Sequence, residues 1–261
     1  MNLHIVSDLH LAHCPIAPAD ICADVLILAG DISDGGTESL LNYTVNYRQA
    51  GKPVLFIPGN HEYYGHTMAA RLLQMKKVSR TAGIMLMHNR CSFIKSVRFI
   101  GSTLWTDFKI GGSDQARSLI LARTGMSDYE CIQHNGRQLS PELTLKWHQR
   151  AIRFIERTFA KPFEGKTVLI VHHGVHPNSI SSNFVGHPLT PAFASDLSAL
   201  LLKWQPRLVI HGHVHHRVDY RVGTSHVVAN PRGYSQLIQD SEGLFEWPEH
   251  GNFDPKFVVE L

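Results

Sequence analysis

The segment Val25-Leu26-Ile27-Leu28-Ala29-Gly30-Asp31-Ile32-Ser33-Asp34 decides the fold class. It is a short, continuous apolar run that stops at glycine and then turns acidic. A strand buried on both faces has this form, because neither side of its sheet meets water. Four other stretches repeat it. Leu3 to Ser7 ends at Asp8-Leu9-His10, and Val54 to Ile57 ends at Pro58-Gly59-Asn60-His61-Glu62. Val168 to Val171 ends at His172-His173-Gly174, and Leu208 to Ile210 ends at His211-Gly212-His213-Val214-His215.

Helical patterns lie between these runs. Apolar residues recur through 37–50, 66–81, 190–203 and the stretch opened by Ser140-Pro141-Glu142, an N-cap followed by proline in the first turn. Strand alternating with helix predicts an α/β layered architecture. Residues 84–86, 92–94 and 97–100 read as one hairpin set, and 218–221 with 225–229 as another. The irregular stretch 102–139 reads as a partly helical cap insertion within a single domain, 1–261.

Composition narrows the function classes. Hydrophobic residues make up 43% and charged residues 18%, which is globular rather than disordered. Lys and Arg (25) barely exceed Asp and Glu (22), and a net charge of +3 argues for neither a nucleic-acid groove nor an anionic membrane. No apolar run is long enough to span a bilayer. No basic region leads into a long apolar stretch at the N-terminus, so a cytoplasmic location is expected. The four cysteines lack CxxC spacing and are expected to be reduced. Oligomeric state is not legible.

Histidine is the outlier, with 18 copies, several of them in tight sets at the strand ends. Asp8, His10, Asp31, Asn60, His172, His213 and His215 all sit where an open α/β sheet binds ligands. Oxygen and imidazole donors without a thiolate suit Mn or Fe, with Zn possible. Of the adjacent pair His172 and His173, the first follows the apolar run and is expected to face the metal. His213 and His215 are expected on one side of an extended segment.

The ordered signature Asp8-x-His10, Gly30-Asp31-x-x-Asp34, Gly59-Asn60-His61-Glu62, His172 and Gly212-His213-x-His215 resembles that of calcineurin-like metallophosphoesterases, over roughly residues 3 to 235. The resemblance implies a four-layer α-β-β-α sandwich with two divalent or trivalent ions above the sheet edge. It implies one ion on Asp8, His10, Asp31 and His215 and another on Asp31, Asn60, His172 and His213, with Asp31 bridging. A hydroxide bridging the ions would attack a phosphate ester. His61 would stabilise the transition state or protonate the leaving group, and Asp34 would hydrogen-bond His61 and keep it protonated.

Substrate is chosen by loops rather than by metal ligands. Arg232, His176 and His88 are the expected substrate contacts. A small soluble diester or monoester, nucleotides included, is the expected substrate. A nuclease, a lipid-linked phosphohydrolase and a non-catalytic metal-binding scaffold remain as alternatives. Asp34 runs into Gly35-Gly36 instead of the Arg-Gly of protein phosphatases, which argues against a phosphoprotein substrate.

Overall fold

The computed structural model describes residues 1–240, 243–248 and 252–261. The strands are β1 Asn2–Val6, β2 Val25–Leu28, β3 Val54–Phe56, β4 Met85–Leu86, β5 Arg90–Ile94, β6 Val97–Ser102, β7 Gln133–His134, β8 Arg137–Gln138, β9 Lys166–Val171, β10 Leu208–His211, β11 Val218–Val222, β12 Ser225–Ala229, β13 Ser235–Asp240, β14 Gly243–Pro248 and β15 Val258–Glu260. The helices are α1 Glu38–Tyr43, α2 Val45–Gln49, α3 Met68–Ala82, α4 Gln115–Gly125, α5 Asp128–Cys131, α6 Pro141–Phe159, α7 Thr190–Phe193 and α8 Ser198–Trp204.

Two sheets carry the fold. One has the order β15-β1-β2-β3-β4 and the other β11-β12-β10-β9-β6-β5. In the first, β1 to β4 run parallel; in the second, β6, β9, β10 and β12 do. Alternate side chains on a strand face opposite sides, so each apolar run feeds two cores. Leu3, Ile5, Val25, Ile27, Leu55, Val168, Ile170, Leu208 and Ile210 meet between the sheets. Leu26, Leu28, Val54 and Phe56 point outward, into a core shared with Leu40, Tyr43, Met68 and Met75 of α1 and α3. Leu169, Val171 and Val209 point outward on the other side, against Ala151 and Ile155 of α6 and Leu200 and Leu201 of α8. The result is the four-layer α-β-β-α sandwich, with the carboxyl ends of the parallel strands along one edge.

Three local expectations need correction. The 37–50 helix is two, because Thr44 turns its hydroxyl back onto the Leu40 carbonyl (2.8 Å) and separates α1 from α2. The 190–203 helix is also two. Between α7 and α8 the chain is drawn out, and Ser195 and Leu197 donate to the carbonyls of Gly174 and Val175 beyond β9. The expected hairpin set at 84–100 is split between sheets: β4 extends the first in parallel, while β5 and β6 form an antiparallel pair in the second.

Candidate metal centre

The polar strand ends converge at the sheet edge. Leaving β1, β2 and β10, the backbone turns sharply: Asp8, His10, Asp31, His213 and His215 all have φ between 45° and 67°. That left-handed conformation costs an L-residue about 1–2 kcal/mol, and such strain concentrates at functional sites. It also overturns the extended reading of 212–215. His213 and His215 sit on a sharply bent segment, which sends them to different groups of donors.

One group holds Asp8, His10 and His215 and another holds Asp31, His172 and His213; in each, the candidate ligand atoms lie within 4.8 Å of one another. In the first, His10 Nε2 faces His215 Nε2 at 3.2 Å, and His215 Nε2 lies 3.6 Å from Asp8 Oδ1. In the second, His172 Nδ1–H donates to the Ala29 carbonyl (2.9 Å). That bond fixes the tautomer and leaves Nε2 as the inward atom. Nε2 lies 2.9 Å from Asn60 Oδ1 and 3.2 Å from Asp31 Oδ2, while His213 Nδ1 lies 3.1 Å from the same Asn60 oxygen. His173 turns the other way, with Nδ1 on the Thr103 carbonyl and its ring against His213 and Trp105.

These contacts test whether a cation fits. Asn60 cannot reverse its amide, because Nδ2 donates to Asp128 Oδ1 at 2.7 Å. Lone pairs from an imidazole, a carboxamide and a carboxylate therefore point at one another. Two lone pairs repel at this range unless a proton or a cation stands between them. Asp8 Oδ2 and His213 Nε2 are buried with no hydrogen-bond partner among the described residues. Charge compensation is built in as well. Burial opposes a charge on His172, but Asp31 outweighs it and holds the imidazole up at about 10. Burial likewise opposes ionisation of Asp31, and His172 and His61 hold its carboxyl well below the usual range. The donor set fits divalent metal ions.

His61 stands beside this cluster. Its backbone N–H donates to Asp31 Oδ1 (2.9 Å), its Nδ1 bonds Asp34 Oδ1, and its ring stacks on Tyr64 with centroids 4.1 Å apart. Burial would lower its pKa, but Asp31 and Asp34 lift it to about 9. Asp34 also faces His10 Nδ1 and His13 Nε2, both at 3.3 Å. Burial would raise the Asp34 pKa; its bonds to His10 and His61 bring it far below the normal carboxylate value.

The three expected substrate contacts have the following surroundings. Arg232 is buried, and its Nη1 donates to the carbonyls of Leu9 and Cys14, so it secures the loop carrying Asp8 and His10. His176 uses Nδ1 to accept from the Asn178 amide and caps a short turn. His88 lines a cavity of about 260 Å³ with Leu72, Trp105, His134, Trp147 and Arg150.

Three residues without an expected role hold the site in place. Glu62, fully buried, accepts from the amides of Asp31 (2.9 Å), Ile32 (2.7 Å), Ser33 (3.0 Å) and Gly59 (2.6 Å), tying the β2 loop to the β3 loop. Its place in Gly59-Asn60-His61-Glu62 was a usable signal. Asp128, at the start of α5, orients Asn60 and accepts from the Tyr64 hydroxyl. No spacing in 102–139 marks it out. Tyr234 brings its hydroxyl to 2.8 Å from His61 Nε2. It lies two residues past Arg232, and nothing local in the sequence ties it to His61.

Residues 1–217 match the profile of the family described as calcineurin-like phosphoesterase. The chain belongs to that family. A calcineurin-like phosphoesterase is a metal-dependent hydrolase of phosphate esters, and this chain carries candidate ligand groups for the metal. It is also similar to uncharacterized protein L509 of Acanthamoeba polyphaga mimivirus, with 24% identity over 291 residues, covering 99% of this chain and 96% of that one. Among solved structures it is similar to the phosphopantetheinyl hydrolase PptH of Mycobacterium tuberculosis, with a TM-score of 0.70, 15% identity and 89% of each chain covered. That likeness is one of fold. No helix among the described residues is long and apolar enough to cross a membrane.

Proposed function

We propose that this phosphoesterase works with two ions and acts on phosphate esters of small soluble molecules, diesters or monoesters, nucleotides included. Asp8, His10, Asp31 and His215 would hold one ion, and Asp31, Asn60, His172 and His213 the other, with Asp31 shared. One observation carries the reading: two donor groups face inward along one sheet edge, the candidate ligand atoms of each within 4.8 Å of one another, an arrangement that two cations would fill as well as the protons that otherwise separate the facing atoms. Manganese or iron suits this mixture of oxygen and imidazole donors, and zinc is compatible with it. Bound there, the ions would supply Lewis acidity and bring the pKa of a coordinated water towards ~7.

The chain's own residues do the remaining work. Asp34 holds His61 at Nδ1 and favours its charged form, which leaves Nε2 as the atom that can donate to an ester oxygen. Tyr64 keeps the ring in that plane by stacking. Glu62 and Asp128 keep Asp31 and Asn60 aimed without touching substrate.

The test is a panel of esters against the manganese-loaded protein. It includes p-nitrophenyl phosphate, its bis ester, mononucleotides, cyclic nucleotides, phosphopantetheine esters, single-stranded oligonucleotides and a lipid-linked phosphate. Turnover of small esters supports the reading. Turnover confined to oligonucleotides or the lipid overturns the substrate class. No turnover with two metals bound overturns hydrolysis in favour of binding.

A further inference from the structure

We infer that Tyr234 is a substrate-contacting residue of this centre, its hydroxyl donating to a non-bridging oxygen of the phosphate ester beside His61. The inference rests on the reaction proposed above. It adds a residue from beyond position 217, where the family match stops.

Three contacts set the position of the ring. The hydroxyl is 2.8 Å from His61 Nε2. The ring centroid is 4.4 Å from that of His10 at an interplanar angle of 34°, and 4.8 Å from that of His215 at 75°. The tyrosine therefore leans on candidate ligands from two strand ends and on the histidine from a third. It is also 43% exposed, so it stands at the mouth of the site rather than in its floor.

Its backbone is held to the same loop as the ligands. Arg232 N–H donates to the Ser7 carbonyl (3.1 Å) and Gly233 N–H to that of Asp8 (3.0 Å). Asn230 Nδ2 donates to the Ile5 carbonyl (2.8 Å). Gly233, at φ 75°, then turns the chain so that the next side chain crosses over His10. Tyr234 is thus registered against the donor groups by hydrogen bonds, and this is what precise placement of a substrate oxygen requires.

The chemistry suits a phosphate oxygen. A tyrosine hydroxyl can accept from one partner and donate to another. His61 Nε2 meets the Tyr234 hydroxyl in this structure and would release it to donate to an ester oxygen, which places the freed hydroxyl beside a neighbouring oxygen of the same phosphate. The two donors come from separate segments and converge on one phosphoryl group. A ring kept only for packing on His10 would work equally well as phenylalanine.

The experiment compares wild type with Tyr234→Phe and Tyr234→Ala, each manganese-loaded and checked for metal content. Inorganic phosphate binding is measured by calorimetry, and kcat/KM with p-nitrophenyl phosphate and phenyl phosphate. Tyr234→Phe is expected to keep both metals, bind phosphate about 10- to 100-fold more weakly, and lose kcat/KM by a similar factor on both esters. Tyr234→Ala is expected to lose at least as much. Phosphate affinity unchanged in Tyr234→Phe overturns the inference, as does a loss restricted to the poorer leaving group or one explained by missing metal. Wild type that binds phosphate through Tyr234 yet hydrolyses no ester sinks the reaction and leaves the contact standing. Wild type that hydrolyses, with Tyr234→Phe binding phosphate normally, does the reverse.

Discussion

Asp128→Ala tests whether α5 aims the proposed metal ligand Asn60. Asp128 Oδ1 accepts from Asn60 Nδ2 and from the Tyr64 hydroxyl, each at 2.7 Å. Truncation removes both bonds and leaves a carboxamide N–H and a phenol without that acceptor. Hydrogen bonds to an ionised group contribute about 1.5–3 kcal/mol each. Burial pushes the Asp128 carboxyl up and offsets part of this, so the net loss of stability should be about 1–3 kcal/mol. The effect on metal is more diagnostic. Without Asp128, Asn60 is free to rotate, and its oxygen no longer holds its place 2.9 Å from His172 Nε2. Loss of such an outer partner typically lowers metal affinity about 10- to 100-fold. Competition titration with a chelating dye should resolve one weakened site, the one with His172 and His213, beside one unchanged site. Asp128→Asn keeps an acceptor oxygen and should recover most of the affinity. If Asp128→Ala binds both ions as tightly as wild type, the assigned orientation of Asn60 is wrong.

Other perturbations follow from the same contacts. His61→Ala should lower kcat by ~10²–10⁴ while metal content, read by atomic emission, stays at the wild-type level; full turnover would remove His61 from the reaction. In the metal-stripped protein, His61 and His172 have pKa values of about 9 and 10, above their unfolded value of ~6.5. Their stabilisation is fully present below about pH 6.5 and is lost as pH rises through 9 and 10, so Tm should fall across that range and His61→Ala should flatten part of the fall. A flat profile in the wild-type apo protein would contradict the charge assignment. Gly59→Ala would place its Cβ 2.1 Å from Asp31 Oδ1, so it should displace that carboxylate and strip metal, with a Tm drop equivalent to about 1–3 kcal/mol.

The sheets were legible because β1, β2, β3, β9 and β10 lie inside a sandwich, and burial on both faces leaves an apolar run with a polar tip. Their carboxyl ends share one edge, so Asp8, His10, Asp31, Asn60, His172, His213 and His215 could be gathered without coordinates. What the sequence hid depends on partners far along the chain. Asp128 reaches Asn60 across 68 positions and Tyr234 reaches His61 across 173. No local period marks such pairs. Arg232 shows how far a charge alone can be read. Its charge suggested a phosphate, but a buried guanidinium serves equally well to bind carbonyls, and only its surroundings decide between the two. Helix breaks at Thr44 and after α7 were hidden for a similar reason, since tertiary hydrogen bonds overrode a sound helical pattern.

Anomalous diffraction from manganese-soaked crystals would test the centre most directly. Two peaks are expected, one bounded by Asp8, His10 and His215 and the other by Asn60, His172 and His213, with an Asp31 oxygen in contact with both. A single peak, peaks away from these side chains, or an Asp31 that touches only one ion would contradict the two-ion account.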